Sequence, residues 1–285
     1  MRIGAKDSRV TAFEQPSSGP HAARAAAVRR ASGDVVLLLD DDVVAGEGLV
    51  SGHALHHKDL DQLVVLGYMP VVSPTQGQSV PALSRIYAHE YEAHCRQIEA
   101  DPRLVLLHMW GGNMSILRKD YLLVDTEVWH DDHEDQFFGI RCYQAGLKGI
   151  FDRSLYAEHW HRRDAPGFLR GARRRGIARW QLQSLFPDLL GAPDPDWACA
   201  DLPWPVGRLV HWAGTPERSS LLVGPLVTTA RCAHAVRLDG LESAAYRFAR
   251  RVELQTGTRW AINSWSPDQS IADRPEAPLP GVESL

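Results

Sequence analysis

Apolar positions along the chain fall into short unbroken runs separated by stretches of helical spacing, a pattern that predicts strands and helices in turn. The run VVLLL (35–39), entered from Asp34, reads as a buried strand with the period-free pattern of a parallel sheet. LVVLGYMPVV (63–72), RLVLLHMW (103–110) and KGIFD (148–152) with its exit LYAEHWH (155–161) read the same way, and VTAF (10–13) as a short strand. Helices are expected over HAARAAAVRRAS (21–32), which Gly33 would stop, over 45–60, and from Pro81 to about Ala100. Two more are expected around 118–124 and over HEDQFFGIRCYQAG (133–146). SPTQGQSVP (73–81) reads as a loop and GGN (111–113) as a turn. Strands alternating with helices make this half an α/β domain.

The pattern changes after Pro166. FLRGARRRGIARWQLQSLF (168–186) reads as a basic helix, GAPDPDWACADLPWP (191–205) as a linker or irregular wrap, and about 218–253 as a helical pair. The tail from Ser264, rich in Pro, Asp, Glu and Ser, is expected to be disordered. The expected division is therefore 1–165, 166–263 and 264–285.

Composition narrows the function. With 44% hydrophobic and 23% charged residues the chain is an ordinary globular protein. A net charge of -4 and a pI near 6.3 argue against a nucleic-acid partner. Cys95, Cys142, Cys199 and Cys232 are far apart, form no CxxC pair, and read as reduced thiols of a cytosolic protein. MRIGAKDSRV leads into no apolar segment, and the most apolar later stretch (221–236) is broken by Arg231 and His234. A cytoplasmic protein is expected, with room for a peripheral membrane contact.

Asp40, Asp41 and Asp42 follow the first strand without a break. Adjacent carboxylates leaving a core repel one another and resist desolvation, so a positive partner is required. A lone DD pair is commonly an N-cap or a solvated turn. Three carboxylates at the carboxyl end of a strand, where open sheets place ligands, point instead to Mg²⁺ or Mn²⁺ and through it to phosphate. In WGGNMSILRKDYL (110–122) the paired glycines allow close backbone approach, and Asn113 and Ser115 offer polar contacts. Glu134 and Asp135 open a helix, where they suit its dipole or could provide a general base, with Arg141 on the second turn. His159 and His161 share one strand face, as structural side chains or as a source of a nitrogen ligand.

Taken in order, DDD, GGN-x-S, ED with a later arginine, and H-x-H resemble the GT-A glycosyltransferases, most nearly glycosyltransferase family 2, from about Val10 to Gly176. The resemblance implies a Rossmann-like mixed sheet of the GT-A (nucleotide-diphospho-sugar transferase) kind. It implies metal-dependent, inverting transfer from a nucleotide-diphosphate sugar to the hydroxyl of a carbohydrate, lipid-linked or small-molecule acceptor. Asp40 and Asp42 correspond to the family's DxD, with Asp42 favoured as direct metal ligand and Asp41 between them at the nucleotide. Gly111, Gly112 and Asn113 correspond to the turn facing donor and acceptor, and Asp135, beside Glu134, to the base. Arg141 closes that motif, and His159, or His161 in a shifted register, completes the metal site. Arg24 keeps the family's arginine at the donor, whereas Ala25 stands where the family has asparagine. The family's base-binding strands would precede residue 1, so an N-terminally incomplete catalytic domain with unfinished sheet flanks is expected.

The basic stretch RGARRRGIAR (170–179) reads equally as a solvated helix face or as a contact for diphosphate, a lipid-linked acceptor or an anionic membrane. Trp110, Trp129 and Trp160 lie near the motifs, for packing or for stacking on sugars. Two rival functions remain: a catalytically inactive binding or scaffold relative, and a nucleotidyltransferase-like enzyme. The latter would start with a glycine-rich phosphate loop, which is not seen. Convergence of the four motifs on one cleft is the structural expectation.

Overall fold

A computed structural model describes residues 7–16, 19–72, 81–124, 133–161 and 163–266. The strands are β1 (Val35–Leu39), β2 (Val43–Ala45), β3 (Leu63–Tyr68), β4 (Asn113–Leu117) and β5 (Lys148–His159). They form a sheet in the order β1-β4-β3-β5-β2. Among these, β3 and β5 run parallel, while β1–β4, β4–β3 and β5–β2 are antiparallel. Around the sheet lie α1 (Gly19–Arg30), α2 (Leu49–His56), α3 (Ala82–Ala100), α4 (Leu104–Leu107), α5 (Arg118–Val124) and α6 (Glu134–Gln144). A helical region follows: α7 (Ala165–Leu185), α8 (Pro187–Leu190), α9 (Trp204–Ala213), α10 (Pro216–Ala235) and α11 (Asp239–Ser264).

Several expectations need correction. β1 is not a parallel strand, since its pairing is antiparallel to β4. It is uniformly apolar because both faces are covered: Val36 and Leu38 pack with Ala25 and Val28 of α1, and Leu37 packs on the other side with Val65 and Tyr91. RLVLLHMW is not a strand but the single helical turn α4. The Leu104 N–H donates to Asp101 O at 3.0 Å, and Val105, Leu106 and Leu107 are all buried. An apolar run buried all round reads alike in either state. The strand instead begins at Asn113. VTAF joins no strand; it is largely exposed, with Phe13 held under the Arg30 guanidinium at 4.0 Å. α9 adds to the expected helical pair, α10 and α11. Residues 73–80, Trp129 and the tail beyond Ser266 lie outside the described residues.

The two halves of β5 do different things. Lys148–Asp152 extend parallel to Leu63–Gly67, and after an irregularity at Gly67/Tyr68 the strand continues until Ala157–His159 pair with β2. The DDD turn therefore leaves β1 and enters β2 against the far end of β5.

The helical region closes around a backbone contact. A Cβ at Gly176 would lie 2.1 Å from Leu254 O, and one at Gly257 2.0 Å from Arg173 O, so α7 and α11 meet without side chains between them. Beside this crossing Arg173 Nε donates to Glu253 Oε2 at 2.6 Å and Arg173 Nη2 to Ser219 at 3.1 Å, with Arg173 and Glu253 only 3% and 2% exposed. Among the described residues no helix is long and apolar enough to cross a membrane. Glu253→Ala would strand the buried guanidinium and should destabilise the fold by about 3–5 kcal/mol in urea unfolding. The apolar pair Arg173→Met/Glu253→Leu should cost much less, because neither charge is then left alone.

Candidate active site

The positive partner of Asp40, the first of the three aspartates, is Arg24. α1 presents His21, Ala25 and Val28 to the core, and Arg24 stands beside that buried stripe. Arg118 donates to the carbonyls of Val28 (3.0 Å) and Arg29 (3.1 Å) and fixes the end of the helix. Ala25 is a core residue rather than a polar one. From this position Arg24 Nη2 donates to Asp40 Oδ1 at 2.9 Å and Nη1 to Asp135 Oδ1, with Glu134 Oε1 at 3.5 Å from Nη1. One guanidinium thus draws together the first aspartate of DDD and both carboxylates of the ED pair.

The glycine turn fits between them. Gly111 N–H donates to Asp135 Oδ2 at 2.8 Å, and Asp40 N–H to Gly112 O at 3.2 Å, extending the β1–β4 ladder into the site. A Cβ at Gly111 would lie 2.6 Å from Asp135 Oδ1, and one at Gly112 2.7 Å from Asp40 Oδ2. Both glycines are thus set by close approach to carboxylates. Asp135 keeps about a quarter (25%) of its side chain exposed. Burial pushes its carboxyl above the usual range, against the opposing effects of Arg24 and the Gly111 N–H.

Across the DDD turn, His159 Nε2 lies 3.3 Å from Asp42 Oδ2, and Trp160 N–H donates to Asp42 O at 2.8 Å. Two donors about 3 Å apart match adjacent corners of an octahedron with ligand bonds of about 2.1 Å. Among the described residues no group of three or more His, Cys, Asp or Glu side chains is assembled to hold a metal. An anionic oxygen paired with a buried imidazole fits a small divalent ion that draws its remaining ligands from phosphate and water. His161 is also buried, stacked on Tyr87 at 4.2 Å, with neither ring nitrogen hydrogen-bonded. Burial and Arg163 push it down to about 3.

Three predicted site residues stand elsewhere. Asp41 is exposed in the turn and joins neither group. Arg141 lies six residues beyond Asp135, about 9 Å along α6, and donates to Gln144 at 3.2 Å. Asn113 does not face a ligand: it is wholly buried (0%) and its amide donates to Leu155 O at 3.0 Å. Its Oδ1 pairs with His53 Nε2 at 3.0 Å, while His53 Nδ1 and His57 Nε2 each lie 2.8 Å from Ser115 Oγ. This His53–Ser115–His57 network under the glycine turn went unread in the sequence. Histidines four apart on a helix (53 and 57), opposite a polar pair two apart on a strand (113 and 115), are the signal that could have revealed it.

Burial keeps further histidines neutral. His108 is pushed down to about 4 and His133 to about 3, both by burial and by nearby cations; burial also depresses His94. A histidine with a depressed folded pKa contributes its full stability above the unfolded value of about 6.5 and loses it as pH falls toward the folded value. Thermal stability should therefore fall steadily from pH 6.5 to pH 4, and His108→Gln should flatten that slope.

None of the curated proteins compared matches the chain. Among solved structures, S. aureus TarS 1-349 in complex with UDP-GlcNAc is similar over 93% of this chain and 78% of that one, at 16% identity and a TM-score of 0.36. Residues 2–122, which carry Arg24, the three aspartates and the glycine turn, match the glycosyl transferase family 2 model. That match spans less than half of the chain, and around it the described residues form a mixed sheet followed by a helical region.

Proposed function

We propose that the protein transfers a sugar from a nucleotide-diphosphate sugar to an acceptor hydroxyl by a single inverting displacement that depends on Mg²⁺ or Mn²⁺. The observation that carries this reading is the meeting of Asp40, Glu134, Asp135 and Gly111 around Arg24, beside the Asp42–His159 pair. Asp42 and His159 are the residues that would hold the cation. When bound, the cation would neutralise charge gathering on the departing diphosphate.

Asp135 supplies the base. Its oxygens accept from Arg24 and from Gly111, and each carboxylate oxygen retains a second acceptor site. That site can take the proton of the attacking hydroxyl as the oxygen bonds to the anomeric carbon and the diphosphate leaves from the opposite face. The raised pKa makes Asp135 a stronger base than a free carboxylate. Glu134, on the same first turn, is placed to hold acceptor hydroxyls. A second reading, a binding protein without turnover, draws support from the engagement of Asp135 with Arg24.

Asp135→Asn separates the two readings. Nucleotide affinity should survive while turnover falls by about 10²–10⁴-fold; unchanged turnover would remove Asp135 as base. Asp42→Ala should abolish divalent-dependent nucleotide binding, measured by titration with a panel of nucleoside diphosphates with and without chelator. The pH profile gives an independent test. Activity needs ionised Asp135, so its acid limb should lie above the ordinary carboxylate value of about 4. Arg24→Gln removes a cation that lowers the Asp135 pKa, and should move that limb further up.

A further inference from the structure

A cavity of about 1030 Å³ lies between α3, α6, α7 and α11 and reaches Met69 and Trp110 at the sheet. Its lining includes immediate chain neighbours of the candidate site: Trp110 precedes Gly111, and His133 precedes Glu134. Gln136, which follows Asp135 on α6, lines it as well.

The lining is strongly basic. Arg175, Arg179, Arg247, Arg250 and Arg251 all border the cavity, against the single carboxylate of Glu90. Glu90 pairs with Arg250 and lies 3.8 Å from Arg175, and Arg251 donates to Asp201 at 2.7 Å. Among the described residues no carboxylate lies within ion-pair distance of Arg179 or Arg247. Arg179 lies over the Trp197 ring at 4.5 Å, and burial lowers its pKa against the opposing field of Asp194. Burial, with the fields of Arg175 and Arg179 added to it, keeps the His133 imidazole neutral.

Unused hydrogen-bonding capacity faces the same space. Arg179 Nε, His133 Nε2 and Gln183 Oε1 are buried without a partner, and all three residues line the cavity. Buried polar atoms are rarely left so unless water or a ligand completes them. Trp110, Trp197 and Tyr87 add aromatic rings to the lining, the kind of side chain that packs against a pyranose. Guanidinium forks match the oxygens of phosphate and remain charged at any physiological pH.

We propose that this cavity binds a phosphorylated carbohydrate as acceptor, its phosphate held by Arg179 and Arg175 and its free hydroxyl presented past Trp110 to Asp135. The proposal rests on the glycosyltransferase reading of the adjoining site. It also gives the basic face of α7 a role other than solvation.

The test is calorimetric titration of the full chain with glucose 6-phosphate and with glucose, in chelator so that no metal-held phosphate contributes. Glucose 6-phosphate should bind at least about tenfold more tightly, the scale of one charge-assisted contact. Arg179→Gln should erase the preference and Arg179→Lys should keep part of it, with thermal melts confirming that both variants fold. Equal affinity for the two sugars, or a preference that survives Arg179→Gln, would overturn the proposal. Binding to phosphatidylglycerol vesicles without binding of glucose 6-phosphate would assign the arginines to a membrane surface and overturn it as well. Nucleoside diphosphates titrated with Mn²⁺ in parallel report on the donor site alone, so failure there is distinguished from failure of the cavity.

Discussion

One guanidinium holds the candidate site of this molecule together. Like charges cannot be gathered at the mouth of a core without a counter-charge, and here Arg24 meets Asp40, Glu134 and Asp135 from a single position. These residues come from three parts of the chain: the exit of β1, the start of α6, and a helix whose apolar stripe anchors it to the core. The glycine turn follows from the same constraint, because side chains at Gly111 or Gly112 would occupy the space of the gathered carboxylates. Ala25, next to Arg24, is buried in the core that anchors α1.

A second layer lies beneath the turn. His53 on α2 and His57, which caps its end, tie Ser115 and Asn113 of β4, and the Asn113 amide reaches across to β5. Burial lowers the pKa of both histidines, so the layer is neutral while the layer above it is densely charged. The division suits a site that must place charges without letting them leak into the sheet. Electrostatics act at the surface of the cleft, and uncharged hydrogen bonds set the position of the backbone that carries it.

The sequence made the chemistry legible where residue type alone fixes it. Three consecutive carboxylates demand a cation, and the ED pair with the glycine turn and the late histidines marks where the partners lie. Convergence of Asp42 with His159 and of Asp40 with Asp135 follows that reading. Strand direction was not legible: β1 is covered on both faces, so its uniform apolarity is the same for parallel and antiparallel pairing. The α4 turn was missed for a related reason, as Val105, Leu106 and Leu107 are buried on all sides and carry no periodicity. Asn113 was misassigned because a polar residue next to glycines looks like a ligand group, and only the coordinates reveal its internal partners. The fate of the arginines on α7 depended on α11, some eighty residues away, where Glu253 takes Arg173 inward.

The glycine crossing of α7 and α11 has a mechanical consequence. Two helices in backbone contact can rock about the point of closest approach, and a group near that fulcrum has a short lever arm. Gly176 is the fulcrum on α7, with Arg175 beside it and Arg179 about 4.5 Å along the axis. A tilt of about 10° would move the Arg179 backbone by less than about 1 Å, yet swing Ala165, eleven residues from the pivot, by about 3 Å. Arg175 and Arg179 would therefore hold their station through tilts that throw the far end of the same helix out of line.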